Sequence, residues 1–258
     1  MEPTTTTDRL RNKINFKIII LIVSLSIFFQ ISLFLFDSES TREQFVYAVS
    51  IINPMAASIS SFIIANRYRS SKTFGKAYLA LACGYLCGTI AEILYFVYES
   101  ILIIDAYPSP ADIFFFALYP FVLTHLIINI RFFKPRISLK EFLWMAAISI
   151  AIISTYITLT LDVMQKTTFE FYYGIIFVLL PAMVLPFAIL GARVFKGGTI
   201  GTEWLILVLA ISTLAVGDVW YYYLEIFDDY SLLHPVNIFW YAGYWIVVYA
   251  LYKHQKGL

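Results

Sequence analysis

Eight apolar stretches divide this chain, near residues 16–37, 43–66, 75–99, 110–131, 140–161, 169–195, 202–226 and 234–253. Each is long enough to cross ~30 Å of hydrocarbon at ~1.5 Å per helical residue. Inside lipid every backbone N–H and C=O needs a partner within the protein, which restricts the spanning form here to helices. The expected fold is therefore all-α, a polytopic membrane protein of eight transmembrane helices. Composition agrees, with 60% hydrophobic and 14% charged residues, where a soluble domain carries about 25% charge. The spans use most of the 258 residues and leave no room for a soluble catalytic domain. A net charge of +1 argues against nucleic acid as a partner; membrane lipid is the expected surrounding partner and the cell membrane the expected location.

The basic residues predict an orientation. Arg9, Arg11, Lys13 and Lys17 precede span 1, and Arg67, Arg69, Lys72 and Lys76 lie between spans 2 and 3. Arg131, Lys134, Arg136 and Lys140 lie between spans 4 and 5, Arg193 and Lys196 between 6 and 7, and Lys253 and Lys256 follow span 8. Only Arg42 and Lys166 fall on the other side. The positive-inside rule then places both termini in the cytoplasm. The opening MEPTTTTDRLRNKINFK is similar to the start of a signal peptide, but the apolar run after it, Ile18 to Phe36, exceeds the usual 7–15-residue core and reads as a retained first helix.

The second half of the chain echoes the first. Asp37 matches Asp162, Pro54 matches Pro181 and Ala65 matches Ala192. Glu92, Tyr95 and Glu99 match Asp218, Tyr221 and Glu225, while Ala117 and Tyr119 match Ala242 and Tyr244. Four helices per unit is an even number, so both halves enter the membrane the same way, as two parallel four-helix repeats. The expected organisation is a cytoplasmic tail at 1–15, repeats at 16–133 and 134–253, and a short tail at 254–258. Pro54 and Pro181 sit mid-span, where a missing N–H bends a helix.

Two acids lie inside apolar stretches at matching positions, Glu92 and Asp218. A carboxyl at membrane depth costs roughly 2.5–3.5 kcal/mol on insertion scales, so such residues are read first as functional. Tyr85, Gly88, Glu92, Tyr95 and Glu99 share one face of span 3, and Ile211, Leu214, Asp218, Tyr221 and Glu225 share one face of span 7. Both stripes are expected to face the bundle. The candidate ligand-binding set is Glu92, Tyr95, Asp112, Tyr119, Asp218, Tyr221, Asn237 and Tyr244. Asp112, after Ser109 and Pro110, also suits the first turn of a helix by itself. Phe115, Phe116, Trp240 and Tyr241 are further candidates for a pocket wall. The plain alternative is a satisfied polar core that fixes helix packing.

Other signals are bland. Cys83 and Cys87 share one helix face and read as packing residues. His125, His234 and His254 are too scattered for a metal set, and the loop KGGTIG lacks the strand and ending of a phosphate loop. No metal or cofactor is expected.

The segments YPSPADIFFFALYP, GDVWYYYLE and NIFWYAGYW together resemble the multi-spanning sensor region found N-terminal to diguanylate cyclase and histidine kinase domains. The resemblance covers most of residues 40–250. No GGDEF, EAL or kinase core accompanies it, so the resemblance implies a stand-alone sensor module acting through a cytoplasmic or membrane signalling partner. A fainter resemblance is to the lysoplasmalogenase family, which has eight spans and a GD-type acid in the third and seventh. It implies Glu92 and Asp218 as a catalytic pair that activates water against a vinyl ether, although Ala, not Gly, precedes Glu92 here. The leading expectation is a sensor-like binding module rather than an enzyme. Lipid hydrolysis is the alternative, and small-molecule transport, borrowed from the parallel repeats, comes third.

Overall fold

A computed structural model describes residues 15–195, 201–227 and 230–257. The basic residues Arg9, Arg11, Lys13 and Lys196, most of the tail at 1–15 and the KGGTIG loop up to residue 200 lie outside them. The described residues form eight long helices and no strand: α1 Phe16–Ser32, α2 Glu39–Arg67, α3 Phe74–Phe96, α4 Pro110–Phe133, α5 Leu139–Met164, α6 Phe169–Phe195, α7 Gly201–Glu225 and α8 Asn237–Gly257. A 3₁₀ turn, Leu33–Leu35, ends α1, and a π-helical turn, Val97–Leu102, continues α3. Seven of the eight, α1 to α7, are long and apolar enough to cross a membrane. This supports a multi-pass membrane protein. The eighth helix is less apolar because, besides four Tyr and two Trp, it carries Asn237 at its start and Lys253, His254, Gln255 and Lys256 toward its end.

Local chemistry explains where several helices begin. The Ser38 hydroxyl accepts the Thr41 N–H at 3.4 Å, starting α2 four residues before the apolar run. At α4 a capping box closes: the Ser109 side chain caps the first turn and the Ser109 N–H donates to Asp112 Oδ2 at 2.8 Å. Ser138 and Glu141 form the same box at α5, and Lys134 pairs with Glu141 beside it. Helix α5 stops at Gln165, whose φ of 53° lies in the left-handed region. Helices α2 and α6 continue through Pro54 and Pro181, both buried.

Six helices close a ring in the order α2, α3, α4, α6, α7, α8 and back to α2. Helix α1 packs outside α8, with Phe29 edge-on to Tyr241 at 5.0 Å and Gln30 Nε2 donating to the Leu232 carbonyl at 3.0 Å. Helix α5 packs outside α6, tied to it by Ser149 on the Ala182 carbonyl, and to α7 by the Tyr223 hydroxyl on the Ile152 carbonyl. The core is continuous through the ring and includes Leu81, Leu126, Ile206 and Leu251, each nearly inaccessible. The outward residues are also apolar: Ile20, Phe28, Leu143 and Ile150 are all more than half exposed. A surface of that kind is costly in water and suited to acyl chains. The turns after α2 and α4 and the end of α8 gather at one end of the bundle, called here the basic end. The opposite, acidic end carries Glu99, Asp105 and Glu225.

Candidate functional site

Helices α3 and α7 bring Glu92 and Asp218 within electrostatic reach of each other. Asp218 is held in place: its Oδ1 accepts the Trp240 indole N–H at 2.8 Å, and the Tyr119 hydroxyl approaches the same carboxyl from α4. The preceding residue, Gly217, leaves room for that indole, since a Cβ there would lie 3.3 Å from Trp240 Nε1. Tyr244, one turn after Trp240 on α8, is an electrostatic neighbour of both acids. Its ring meets Tyr85 edge-on at 5.7 Å.

Glu92 has no hydrogen-bond partner among the described residues. It lies deep among protein atoms yet keeps part of its surface accessible, as do Asp218, Tyr119 and Tyr244. We read the partial accessibility shared by these four polar side chains as a narrow cleft between α3, α4, α7 and α8. Two more groups beside the cleft are unsatisfied. The Tyr85 hydroxyl, near Asp218, and the Tyr241 hydroxyl, near Glu92, are buried with no partner. Buried polar atoms left unpaired cost about 1–3 kcal/mol each, so such orphans at one place mark a site that something polar completes.

Toward the acidic end the cleft is walled by tyrosine. Tyr95 lies 6.3 Å from Tyr47, ring to ring, and Glu99 is close to both. Tyr221 packs edge-on against Trp240 at 5.5 Å and Tyr230 at 4.7 Å. The π turn that carries Glu99 ends at Ile103, a β-branched residue at φ 55°, where the backbone is strained. The Glu99 carboxyl accepts the Ala106 N–H at 2.9 Å and pins the turn.

The structure thus gathers Glu92, Asp218, Tyr119 and Tyr244, with Tyr95 and Tyr221 beside them. Asp112 and Asn237 stand apart. Asp112 is 3% exposed and committed to its helix cap, and its Oδ2 also accepts the Tyr173 hydroxyl at 2.9 Å. Asn237 is buried at the start of α8, donating to the Leu232 carbonyl at 2.8 Å and accepting the Tyr230 hydroxyl at 3.2 Å. Both support the walls rather than face the acids. Phe116 belongs to a separate cluster with Tyr173 and Phe177. Trp240 was legible as an aromatic wall, but not as the donor that fixes Asp218.

A second polar cluster at the basic end escapes sequence reasoning. His254 is 3% exposed and its Nε2 lies 2.8 Å from the Tyr68 hydroxyl. Tyr78 stacks on Tyr68 at 4° and also touches His125, His254 and Trp204. The His125 Nδ1–H donates to the Ala77 carbonyl at 2.9 Å. Glu203 is buried beside Lys253, 3.9 Å away, with its second oxygen unpaired. Burial pushes the Tyr68 phenol above its ordinary range. No group of three or more potential metal ligands occurs among the described residues. The open hollows beside Gln165–Thr168 and beside Arg67 and Tyr252 adjoin neither Glu92 nor Asp218. Comparison with known proteins gives no match: no family model, no curated protein and no solved structure aligns with this chain.

Proposed function

We propose that this chain is a sensor-like ligand-binding module of the cell membrane, with its pocket between α3, α4, α7 and α8. The observation that carries the reading is the unpartnered Glu92 carboxyl facing a fixed Asp218, flanked by the orphaned hydroxyls of Tyr85 and Tyr241. A polar core evolved only for packing would satisfy its own members. The neighbour order of the ring supports two parallel four-helix repeats: α2 with α8 mirrors α6 with α4, and α3 and α7 carry the matched acids. Eight crossings with both termini cytoplasmic place the tyrosine-walled mouth on the outer side. Transmission would run through a signalling partner at the inner side. The test is mass spectrometry of small molecules that co-purify with the full chain. A species present with the wild type and lost in Glu92→Gln supports the reading. An empty wild type, together with a rise in melting temperature when both acids become leucine, would remove it.

The asymmetry of the acid pair favours a second reading, a lipid hydrolase of lysoplasmalogenase type. One carboxyl is held by a donor while the other is free to move a proton, an arrangement that acid–base catalysis uses. Hydrolysis of a lyso vinyl-ether lipid that is abolished by Asp218→Asn would establish it. Transport stands third, because Tyr78, His125 and Trp204 fill the basic end and would have to move for a path to open.

A further inference from the structure

We infer that the cleft takes a primary ammonium group, held between Glu92 and Asp218 and reached through the tyrosine-walled mouth; this rests on the binding reading above. Three carboxyls form a file from the mouth inward: Glu99, then Glu92, then Asp218. Tyr95 and Tyr47 are electrostatic neighbours of both Glu99 and Glu92, and Glu92 in turn of Asp218. None of the three is ion-paired among the described residues; the ion pairs present, Lys134 with Glu141 and Lys253 with Glu203, lie at the opposite end. Arg42, the basic residue of the acidic end nearest this file in the chain, spends its guanidinium on the Leu33 and Phe36 carbonyls at 3.2 and 3.1 Å. A low-dielectric cleft lined by one sign of charge concentrates ions of the other sign.

The hydrogen-bond inventory narrows the cation. Glu92 offers only acceptor oxygens when ionised, and the Tyr85 and Tyr241 hydroxyls have lone pairs to spare. The Trp240 indole and the Tyr119 hydroxyl are already turned to Asp218. What completes the site must bring N–H donors as well as positive charge. A primary ammonium brings three donors and one charge, and the ring of Tyr244, an electrostatic neighbour of both acids, offers cation–π attraction. A quaternary ammonium has no N–H to offer. A divalent metal wants six or more oxygen ligands in a shell, beyond what two carboxyls and scattered phenols supply.

A primary ammonium reaches such a site either as a soluble amine or as an aminophospholipid headgroup, and the experiment separates them. The full chain is reconstituted in phosphatidylcholine nanodiscs, and thermal unfolding and Trp fluorescence are followed on adding n-hexylammonium, 1-hexanol or tetraethylammonium. Saturable stabilisation is expected from n-hexylammonium alone. Glu92→Gln should weaken it by about ten- to a hundredfold, the worth of a charged hydrogen bond. Glu141→Gln, at the far end, should bind as the wild type. If Asp218→Asn fails to fold, Glu92→Gln still decides. A second set of nanodiscs contains phosphatidylethanolamine: stabilisation without added amine assigns the group to lipid, whereas stabilisation by amine only assigns it to solute. Equal stabilisation by 1-hexanol with no effect of Glu92→Gln overturns the ammonium assignment and leaves a binding cleft. No stabilisation by any probe, with a leucine double variant at the acids more stable than wild type, overturns both.

Discussion

The Trp240 indole N–H donates to Asp218 across the α7–α8 contact at 2.8 Å, whereas Glu92, its counterpart on α3, has no donor. Removing that donor leaves the Asp218 carboxyl with the Tyr119 hydroxyl alone. Trp240→Phe should destabilise the protein by about 1.5–3 kcal/mol, the worth of a hydrogen bond to a charged group. Thermal unfolding measures it, and a double-mutant cycle with Asp218→Asn should show strong non-additivity. Additive effects would mean that the ring contacts, not the bond, matter.

Glycines near the acids should respond unequally to alanine. A Cβ on Gly217 would meet the Phe239 Cβ at 2.9 Å, which is fixed to the α8 backbone, and the rigid Trp240 indole at 3.3 Å. Gly217→Ala should cost about 1–3 kcal/mol by overpacking. At Gly88 the tight contact is the Leu118 Cδ1 at 2.8 Å, the end of a flexible side chain, with Tyr244 Oη at 3.8 Å. Gly88→Ala should be the milder change, by unfolding in the same detergent.

Asp112 serves two bonds, so two substitutions separate them. Tyr173→Phe removes only the link to α6 and should cost about 1 kcal/mol. Asp112→Ala also breaks the capping box and strands the Tyr173 hydroxyl, and should cost clearly more, about 2–4 kcal/mol. Neither should alter ligand affinity strongly if Glu92 and Asp218 alone form the binding centre.

The basic end is held by rings around His254. His254→Ala opens a hole beside Tyr78, Tyr68 and Trp204, and about 2–4 kcal/mol should be lost, in the range of large core truncations. Lys256→Ala, on the same last turn but exposed, should cost under about 0.5 kcal/mol. Equal effects would mean that the end of α8 frays in the membrane.

Topology is open to labelling. With Cys83 and Cys87 replaced by alanine, single cysteines at Ser70 and Asp105 flank α3 and should react with an impermeant reagent from opposite faces. Ser70 is expected inside and Asp105 outside. Labelling of both from one face would remove the eight-crossing arrangement.

Much of this was readable in the residues themselves. Long apolar runs place all eight helices within a few residues, and Ser109, Pro110 and Asp112 announce the start of α4 before any coordinates. The acids Glu92 and Asp218 stand out because charge is rare inside such runs. What could not be read are partnerships across the chain. Tyr173 reaches Asp112 from 61 positions away, and nothing local says so. His254 and Glu203 were missed because they sit beside Lys253 and at the start of α7, where a short charged segment is indistinguishable from a solvated end. Which of many tyrosines lose their hydroxyl partners depends on the ring closing, and composition is silent on that.

The seam between α2 and α8 has a consequence for biogenesis. Until the ribosome has released the last helix, the side of α2 that meets α8 has no permanent neighbour. The earlier helices must therefore wait in the bilayer as an open arc, and Arg67 cannot reach the Gln255 carbonyl that ties the end of α2 to the end of α8. A chain stopped before residue 237 would leave the translocon as an unlatched horseshoe, a natural substrate for membrane proteases and assembly chaperones.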